Sequence, residues 1–302
     1  MNSEITCKLH DTHAHLEMLC QRLGLIPEGR EDIEMTPQIT QSIFDFSQSY
    51  LLNHEWVIHP TVSTNNLKYA LDLFWEISKI YFLYGSHPEI VDAKFDVNKY
   101  LLEQADFLKK ILNLPKFKGL LPQDQSNETK PRLIGIGECG LDFNYTQDSE
   151  IIKKQKELFI SQIELAIRLD LPIEIHTRDA WDDTFELLDE FPSIHGKFLI
   201  HCFTGGVTEL RKCLDRGGLA AFGGIVTFPK SFELQEALVF CPKENLVLET
   251  DLPFLAPVPN RGKACLPVMI NDTAKFIATI KNTTPELVWE WSRQNSKKLF
   301  KF

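Results

Sequence analysis

The stretch Leu9-His10-Asp11-Thr12-His13-Ala14-His15-Leu16 places two histidines two residues apart, just after a short apolar beginning. Side chains at positions i and i+2 of a β-strand point to the same side. As parts of a strand, His13 and His15 would direct two imidazoles to one point, which suits a divalent metal ion. Histidine has many other uses, so a metal site is supported only if further ligand-type residues occur along the chain.

Composition places the chain among ordinary globular enzymes. Its 302 residues are 43% hydrophobic and 25% charged, and this length fits two average domains or one (β/α)8 barrel. The formal net charge of −10 repels nucleic acid over the whole surface, although metal ions in a local site can reverse the sign there. Any DNA is therefore expected to bind locally, at such a site.

The other compositional signals predict a cytoplasmic protein. Seven cysteines without a Cys-x-x-Cys motif are typical of reduced thiols in the cytosol. The beginning, Met1 to Lys8, lacks the apolar run of a signal peptide, and no segment approaches the roughly 20 apolar residues of a membrane span. We expect a monomer with no membrane contact.

Beyond the opening strand, short apolar segments alternate with helical patterns. Strands are predicted at 55–60, 80–88, 132–138, 171–176, 197–202, 219–225 and 245–251, and helices at 39–52, 67–77, 97–112, 148–169, 179–189, 206–216, 231–240, 267–281 and 285–299. Such alternation implies parallel strands joined by helical crossovers, and eight strands favour a (β/α)8 TIM barrel. No Gly-x-Gly-x-x-Gly follows the first strand, which counts against a dinucleotide-binding fold. We find no linker or repeat, so residues 1–302 are predicted to form a single domain.

Residues with metal-binding side chains stand where these predicted strands end, which is where the chemistry of a parallel barrel lies. They are His13, His15, Glu138, His176, His201 and Asp251. Glu249 shares the side of its strand with Asp251 and could reach the same mouth of the barrel. Nitrogen and carboxylate ligands suit zinc, manganese and other divalent ions. Six such groups exceed the needs of one metal with an open position. They fit two ions about 3.5–4 Å apart with one bridging carboxylate.

Ordinary structural roles compete with this interpretation. Glu138 ends an apolar strand, where an unpaired carboxylate would be costly, so a ligand role is favoured. A lone core histidine would explain His176 or His201, but two in consecutive strands favour ligands. Asp251 could cap a following helix, but Pro253 indicates a turn instead.

Three further residues are predicted to lie near substrate. Arg178 follows His176 by two residues and could bind a phosphate or pair with Asp179. Asp142 could contact substrate, cap a turn or orient a ligand. His87 ends the third strand and could reach substrate.

The remaining histidines and two cysteines are not assigned to the chemistry. His10 faces away from the His13 side of its strand, and the histidines expected to be structural or exposed are His54, His59 and His195. Strand alternation predicts that Cys139 and Cys202 face away from the mouth, so neither is predicted to be a nucleophile.

The ordered motifs resemble those of the TatD family of metal-dependent hydrolases. They are Asp11-Thr12-His13-Ala14-His15-Leu16, Gly85-Ser86-His87-Pro88, Gly137-Glu138-Cys139-Gly140-Leu141-Asp142, His176-Thr177-Arg178, His201-Cys202-Phe203-Thr204-Gly205 and Glu249-Thr250-Asp251-Leu252-Pro253. Arg261-Gly262-Lys263 and the closing Asn295-Ser296-Lys297-Lys298-Leu299-Phe300 also resemble family elements. As an ordered set, these motifs are highly specific.

The resemblance implies a TIM-barrel metallohydrolase of the amidohydrolase superfamily, a family often described as deoxyribonucleases. It implies two divalent ions, for which magnesium, manganese and zinc are candidates. By this analogy one ion is held by His13, His15, Glu138 and Asp251, and the other by Glu138, His176 and His201. Asp251 would also help to activate the water, which makes Asp251 and Glu138 the expected catalytic residues.

Several positions depart from the family pattern. Glu17 stands where Asp is usual, Glu89 stands where His is common, and 264–267 replaces a frequent Asn-Glu-Pro. The insert near 20–40 is longer than usual. All of these are expected to line the mouth of the barrel, where they would affect substrate choice and leave the metal chemistry intact.

Three functions compete at this point. The leading hypothesis is a phosphodiesterase that acts on DNA in an exonuclease-like manner, since two metals can activate water and offset phosphoryl charge. The same metals could hydrolyse amides or esters of small substrates. The third hypothesis, an inactive metal-binding protein, is disfavoured because all six ligand-type residues are present.

The position of Arg178 leads to a first prediction. A guanidinium just above the metal ligands suits an anionic phosphate. Arg178→Ala should therefore raise KM for a phosphodiester substrate far more than it lowers the metal content. An unchanged KM, measured beside elemental analysis of the same sample, would assign Arg178 a structural role.

Overall fold

The computed structural model describes residues 8–29, 34–117, 119–121 and 131–302, and these form a (β/α)8 barrel. Eight strands stand in sequence order, and every adjacent pair is parallel. The strands are β1 Leu9–Asp11, β2 His54–Pro60, β3 Ile80–Leu83, β4 Leu133–Asp142, β5 Ile173–Arg178, β6 Phe198–Ile200, β7 Leu219–Phe222 and β8 Leu246–Leu248. The predicted TIM barrel is confirmed.

Hydrogen bonds between the segments that follow β1 and β8 close the ring. The backbone N–H of Thr12 donates to the carbonyl of Leu248 at 3.2 Å, and that of Asp251 donates to the carbonyl of His13 at 3.0 Å. The N–H of His15 donates to the carbonyl of Leu252 at 2.9 Å. Closure therefore brings the two segments that carry predicted ligands side by side.

Ten α-helices surround the strands in the described residues. They are α1 Leu16–Arg22, α2 Pro37–Tyr50, α3 Asn66–Phe74, α4 Val97–Leu112, α5 Ser149–Leu169, α6 Trp181–Glu190, α7 Val207–Asp215, α8 Phe232–Phe240, α9 Ile270–Ile280 and α10 Pro285–Phe300. Local signals set several ends. The Asp148 side chain accepts the N–H groups of Glu150 and Ile151 at the start of α5, and Thr284 accepts that of Leu287 beside Pro285 at the start of α10.

Apolar side chains fill the barrel at the amino ends of its strands. The buried residues there are Trp56, Ile58, Tyr81, Leu83, Ile134, Leu199, Leu219, Ala221 and Val247, with Leu299 and Phe300 of α10 packed against them. A larger apolar core lies between the strands and the helices. The amino end is thus filled, and polar side chains inside the barrel collect toward the carboxyl ends of the strands.

Several strand ends differ from the prediction. β6 and β8 end earlier than predicted, at Ile200 and Leu248, so His201 and Asp251 lie beyond their strands. β1 ends at Asp11, so the two histidines lie beyond it, in a segment that Ala14 continues through a bridge to Leu252. β4 continues to Asp142, so Glu138 lies inside the strand.

A bulge accounts for the position of Glu138. Ile136 pairs with Ile173 and Cys139 with Ile175, so β4 uses three residues where β5 uses two. Gly140 makes the adjacent pairing possible, because its φ is +146° and a Cβ there would lie 1.9 Å from the carbonyl oxygen of His176.

Helix α1 was not predicted from the sequence, since a seven-residue helix shows only two turns of pattern. Parts of two other predictions lie outside the described residues: 1–7 of the beginning and 30–33 of the insert near 20–40. Residues 118 and 122–130 are also outside the described part of the chain. Among the described helices, none combines the length and the apolarity needed to cross a membrane.

Candidate metal centre

Four predicted ligands meet at the junction of β1, β8 and the bulged β4, and we call them the first cluster: His13, His15, Glu138 and Asp251. The Nε2 atoms of His13 and His15 lie 3.1 Å apart. Each lies 3.6 Å from Asp251 Oδ1, and Glu138 Oε2 is 3.6 Å from His13 and 3.4 Å from His15. Four donor atoms thus surround one point.

A second cluster forms on the other side of the same carboxylate: Glu138, His176 and His201. Glu138 Oε1 lies 3.0 Å from His176 Nδ1 and 2.8 Å from His201 Nε2. The two histidine nitrogens are 3.1 Å apart. Glu138 therefore directs one oxygen to each cluster. His87 joins the second cluster, with its Nε2 at 3.4 Å from Glu138 Oε1.

Buried carboxylates hold two of these imidazoles in place. His13 Nδ1 donates to Glu174 Oε1 at 2.7 Å, which leaves its Nε2 lone pair facing the first cluster. His176 Nε2 donates to Asp142 Oδ2 at 3.0 Å, which leaves its Nδ1 facing the second. Each bond fixes the tautomer that a metal ligand requires.

The electrostatics of the clusters are strongly coupled. Burial raises the pKa of Glu138, but the nearby His201 and His87 outweigh it and hold that pKa well below its usual range. Burial lowers the pKa of His15, but its hydrogen bond with Glu138 and the charges of Glu138 and Asp251 raise it to about 9. Burial raises the pKa of the Asp251 carboxyl. In such a site a bound cation takes the place of protons.

The donor set fits divalent metal ions. In the described part of the chain, the ion-pair partners of Glu138, Glu174 and Asp251 are histidines, so these buried carboxylates lack a lysine or arginine to balance them. Ligands bound tetrahedrally at about 2.1 Å would stand about 3.4 Å apart, which is close to the spacing in both clusters. Metal ions would compensate the buried charge and use the convergent lone pairs.

The clusters open into a cavity of about 510 Å³ at the carboxyl ends of the strands. Its wall includes all three predicted substrate-binding residues: His87, Asp142 and the exposed Arg178. Asp179 accepts a hydrogen bond from Asn144 Nδ2, and no ion pair between Arg178 and Asp179 occurs in the described residues. This arrangement leaves the Arg178 guanidinium available at the rim.

Asp142 borders the cavity but is itself fully buried. Besides His176, it accepts the backbone N–H of Asn144 at 2.9 Å. These contacts favour the alternatives of orienting a ligand and capping a turn. Three of the histidines that are not assigned to the chemistry lie inside the protein. His10 Nε2 is 2.8 Å from Ser292 Oγ, and His54 and His59 are also buried.

Two expectations about the mouth are wrong. Cys202 does line the cavity, because β6 ends at Ile200 and Cys202 takes a φ of +43°, where strand alternation no longer applies. Burial raises the pKa of both Cys202 and Cys139, which agrees with thiols that are not nucleophiles. Glu249 is fully buried beneath the cavity, where its Oε1 accepts the N–H of Cys202 at 2.6 Å.

Of the positions that depart from the family pattern, only some lie in the cavity wall. Glu89 lines the cavity, as expected. Glu17 does not; it is buried, lies 3.3 Å from His59 Nε2 and accepts from Asn66 Nδ2. Neither 264–267 nor the described part of the insert near 20–40 contributes to the cavity wall.

Sequence reasoning missed Glu174 and Asp11. Glu174 stands two residues before His176, the same spacing as Glu249 before Asp251, and this alternation could have identified it. Asp11 accepts hydrogen bonds from the Thr250 backbone and hydroxyl, at 3.0 and 2.6 Å, which ties the segment after β8 to β1.

Comparison with known proteins agrees with this site. The model of the family described as "TatD related DNase" matches residues 10–301. The chain belongs to this family. It is 32% identical to the "uncharacterized metal-dependent hydrolase YabD" of Bacillus subtilis over 97% of this chain and 99% of that protein. The name of this relative is that of a metal-dependent hydrolase, which agrees with the donor clusters described above.

Other relatives share shorter regions. The "uncharacterized metal-dependent hydrolase YcfH" of Escherichia coli is 38% identical over 56% of this chain, which spans 63% of that protein's length. The "3'-5' ssDNA/RNA exonuclease TatD" of Salmonella typhimurium is 37% identical over 42% of this chain and 49% of its own. The crystal structure of YJJV, a TatD homologue from E. coli, shares the fold with a TM-score of 0.76 at 20% identity, over 98% and 99% of the two chains.

The carboxylates behind the imidazoles lead to a second prediction. Glu174→Leu should weaken the ion of the first cluster about 10–100-fold, because His13 loses the partner that fixes its tautomer. Asp142→Asn should instead weaken the ion of the second cluster. Stepwise metal dissociation constants, from titration against a chelator, would separate the two effects. Loss of the same ion in both variants, or of neither, would contradict the assignment.

Proposed function

We propose that this chain is a phosphodiesterase that acts on DNA through two divalent ions, in an exonuclease-like manner. The observation that carries the proposal is the division of Glu138 between two clusters, with one oxygen directed to each. One carboxylate between two sets of nitrogen and oxygen donors is the arrangement that a bridged two-metal site requires. Magnesium, manganese and zinc are the candidate ions.

The proposed ligands follow from the distances. His13, His15, Glu138 and Asp251 would hold one ion, and Glu138, His176 and His201 the other. When bound, the ions polarise the phosphoryl oxygens and make water easier to deprotonate. Glu174 and Asp142 keep His13 and His176 oriented toward the ions.

Asp251 is the proposed general base. Its carboxylate borders the cavity, and its side chain is 13% exposed where those of Glu138 and His13 are 4% and 0% exposed. An oxygen at the open side of the first cluster can accept a proton from the attacking water. The water oxygen bonds to phosphorus, the bond to the leaving oxygen breaks, and the proton held by Asp251 can pass to that oxygen.

Two observations favour an anionic substrate over a neutral amide or ester. Arg178 lies exposed on the cavity wall, and a guanidinium recognises phosphate with parallel hydrogen bonds. The Salmonella relative carries the name of a nuclease. Because the chain has a net charge of −10, DNA would be held at the mouth, with little long-range attraction.

The role of Asp251 leads to a third prediction. Asp251→Asn keeps the shape and one ligand oxygen but accepts protons poorly. It should preserve the fold and the ion held by Glu138, His176 and His201, and kcat on a single-stranded oligonucleotide should fall about 10²-fold or more.

The deciding comparison is kcat of Asp251→Asn at saturating metal. A persistent loss supports the base assignment. Recovery of the wild-type rate as metal is added would make Asp251 a ligand alone, and the base would have to be sought elsewhere.

A further inference from the structure

Two large aromatic side chains of the cavity wall remain exposed to solvent. Tyr145 is 54% exposed and Phe254 is 46% exposed, although both lie on the wall that includes Glu138, His176 and Asp251. Exposed apolar surface beside a polar site commonly marks a place where a ligand binds.

The two rings stand on opposite sides of the mouth. Tyr145 follows β4 by three residues, and Phe254 lies in the segment that follows β8. In a closed ring of eight strands, β4 and β8 are four strands apart in either direction. The proposed two-metal site therefore lies between the rings.

Each ring is placed beside a group with a proposed role in the reaction. The guanidinium carbon of Arg178 lies 6.0 Å from the centroid of the Tyr145 ring. The Phe254 ring meets the His15 ring edge to face, with centroids 6.2 Å apart. Both rings are thus adjacent to groups that would hold the phosphate or an ion.

This geometry matches the chemistry of a phosphodiester between two nucleosides. Such a group carries one nucleoside on each side of the phosphate, and each base offers a flat face that stacks on aromatic rings regardless of sequence. With the phosphate at the ions and Arg178, the two bases would extend toward opposite walls.

We propose that Tyr145 and Phe254 are nucleobase-stacking subsites, one on each side of the scissile phosphate. The inference rests on the proposed phosphodiesterase function and extends it by assigning substrate contacts outside the metal ligands. A base on either ring must leave the stack of its own strand, so the subsites select unpaired nucleotides.

The test compares two deoxyribose phosphates, one that carries a base and one that carries a hydroxyl group at the same carbon. Binding of deoxyadenosine 5′-monophosphate and of 2-deoxyribose 5-phosphate to the metal-loaded protein is measured by calorimetry. The wild type should bind the nucleotide about tenfold more tightly or better, because stacking on an aromatic ring stabilises a bound base.

Variants then locate the source of this preference. The double variant Tyr145→Ala/Phe254→Ala should lose most of the preference while its affinity for 2-deoxyribose 5-phosphate stays unchanged. The double variant Tyr145→Phe/Phe254→Tyr keeps both rings and should keep the preference. Phe232→Ala is the matched control, since Phe232 is 65% exposed on α8 and does not border the cavity.

The outcomes also separate this inference from the proposed function, when turnover of a single-stranded oligonucleotide is measured on the same samples. A base preference that depends on the rings, without turnover, would overturn the phosphodiesterase and leave the subsites in place. Turnover without base preference would overturn the subsites. Equal loss of affinity for both ligands in the alanine variant would overturn them too, because it would show damage to the phosphate site.

Discussion

The carboxylate of Glu138 is the group on which the site depends. It lies inside the barrel between five histidines, His13, His15, His87, His176 and His201, and its two oxygens face different clusters. A buried carboxylate is stable only when positive charge or hydrogen-bond donors surround it. Those donors come from β1, β3, β5 and β6 and the loops after them, so one side chain couples residues that lie far apart in the sequence.

The backbone around Glu138 allows this side chain to lie between the two clusters. The bulge in β4 and the close approach of Gly140 to His176 bring β4 against β5 at the level of the clusters. Behind the imidazoles, Glu174 and Asp142 fix the nitrogen that each ring presents. The amino end of the barrel is filled by apolar side chains, so the polar groups gather at the open end, where substrate can enter.

The sequence predicts much of this arrangement, because hydrophobic alternation and His-x-His spacing are local signals. All eight strands and nine of the ten described helices lie close to their predicted positions. Each of the six predicted ligands has a side-chain atom within 3.6 Å of at least one of the others. The features that the sequence does not reveal depend on packing in three dimensions. The hydrogen bond of Glu174 to His13 joins opposite strands of the barrel, and the position of Cys202 depends on one positive φ after a strand has ended.

The central claim is that Glu138 bridges two divalent ions, and metal content tests it most directly. Elemental analysis after dialysis should find about two ions per chain in the wild type. It should find both sites depleted in Glu138→Ala. Glu89→Ala is the control, since Glu89 lies exposed on the same cavity wall and should leave the metal content unchanged. Full occupancy in Glu138→Ala, or the clean loss of a single ion, would contradict the bridged site.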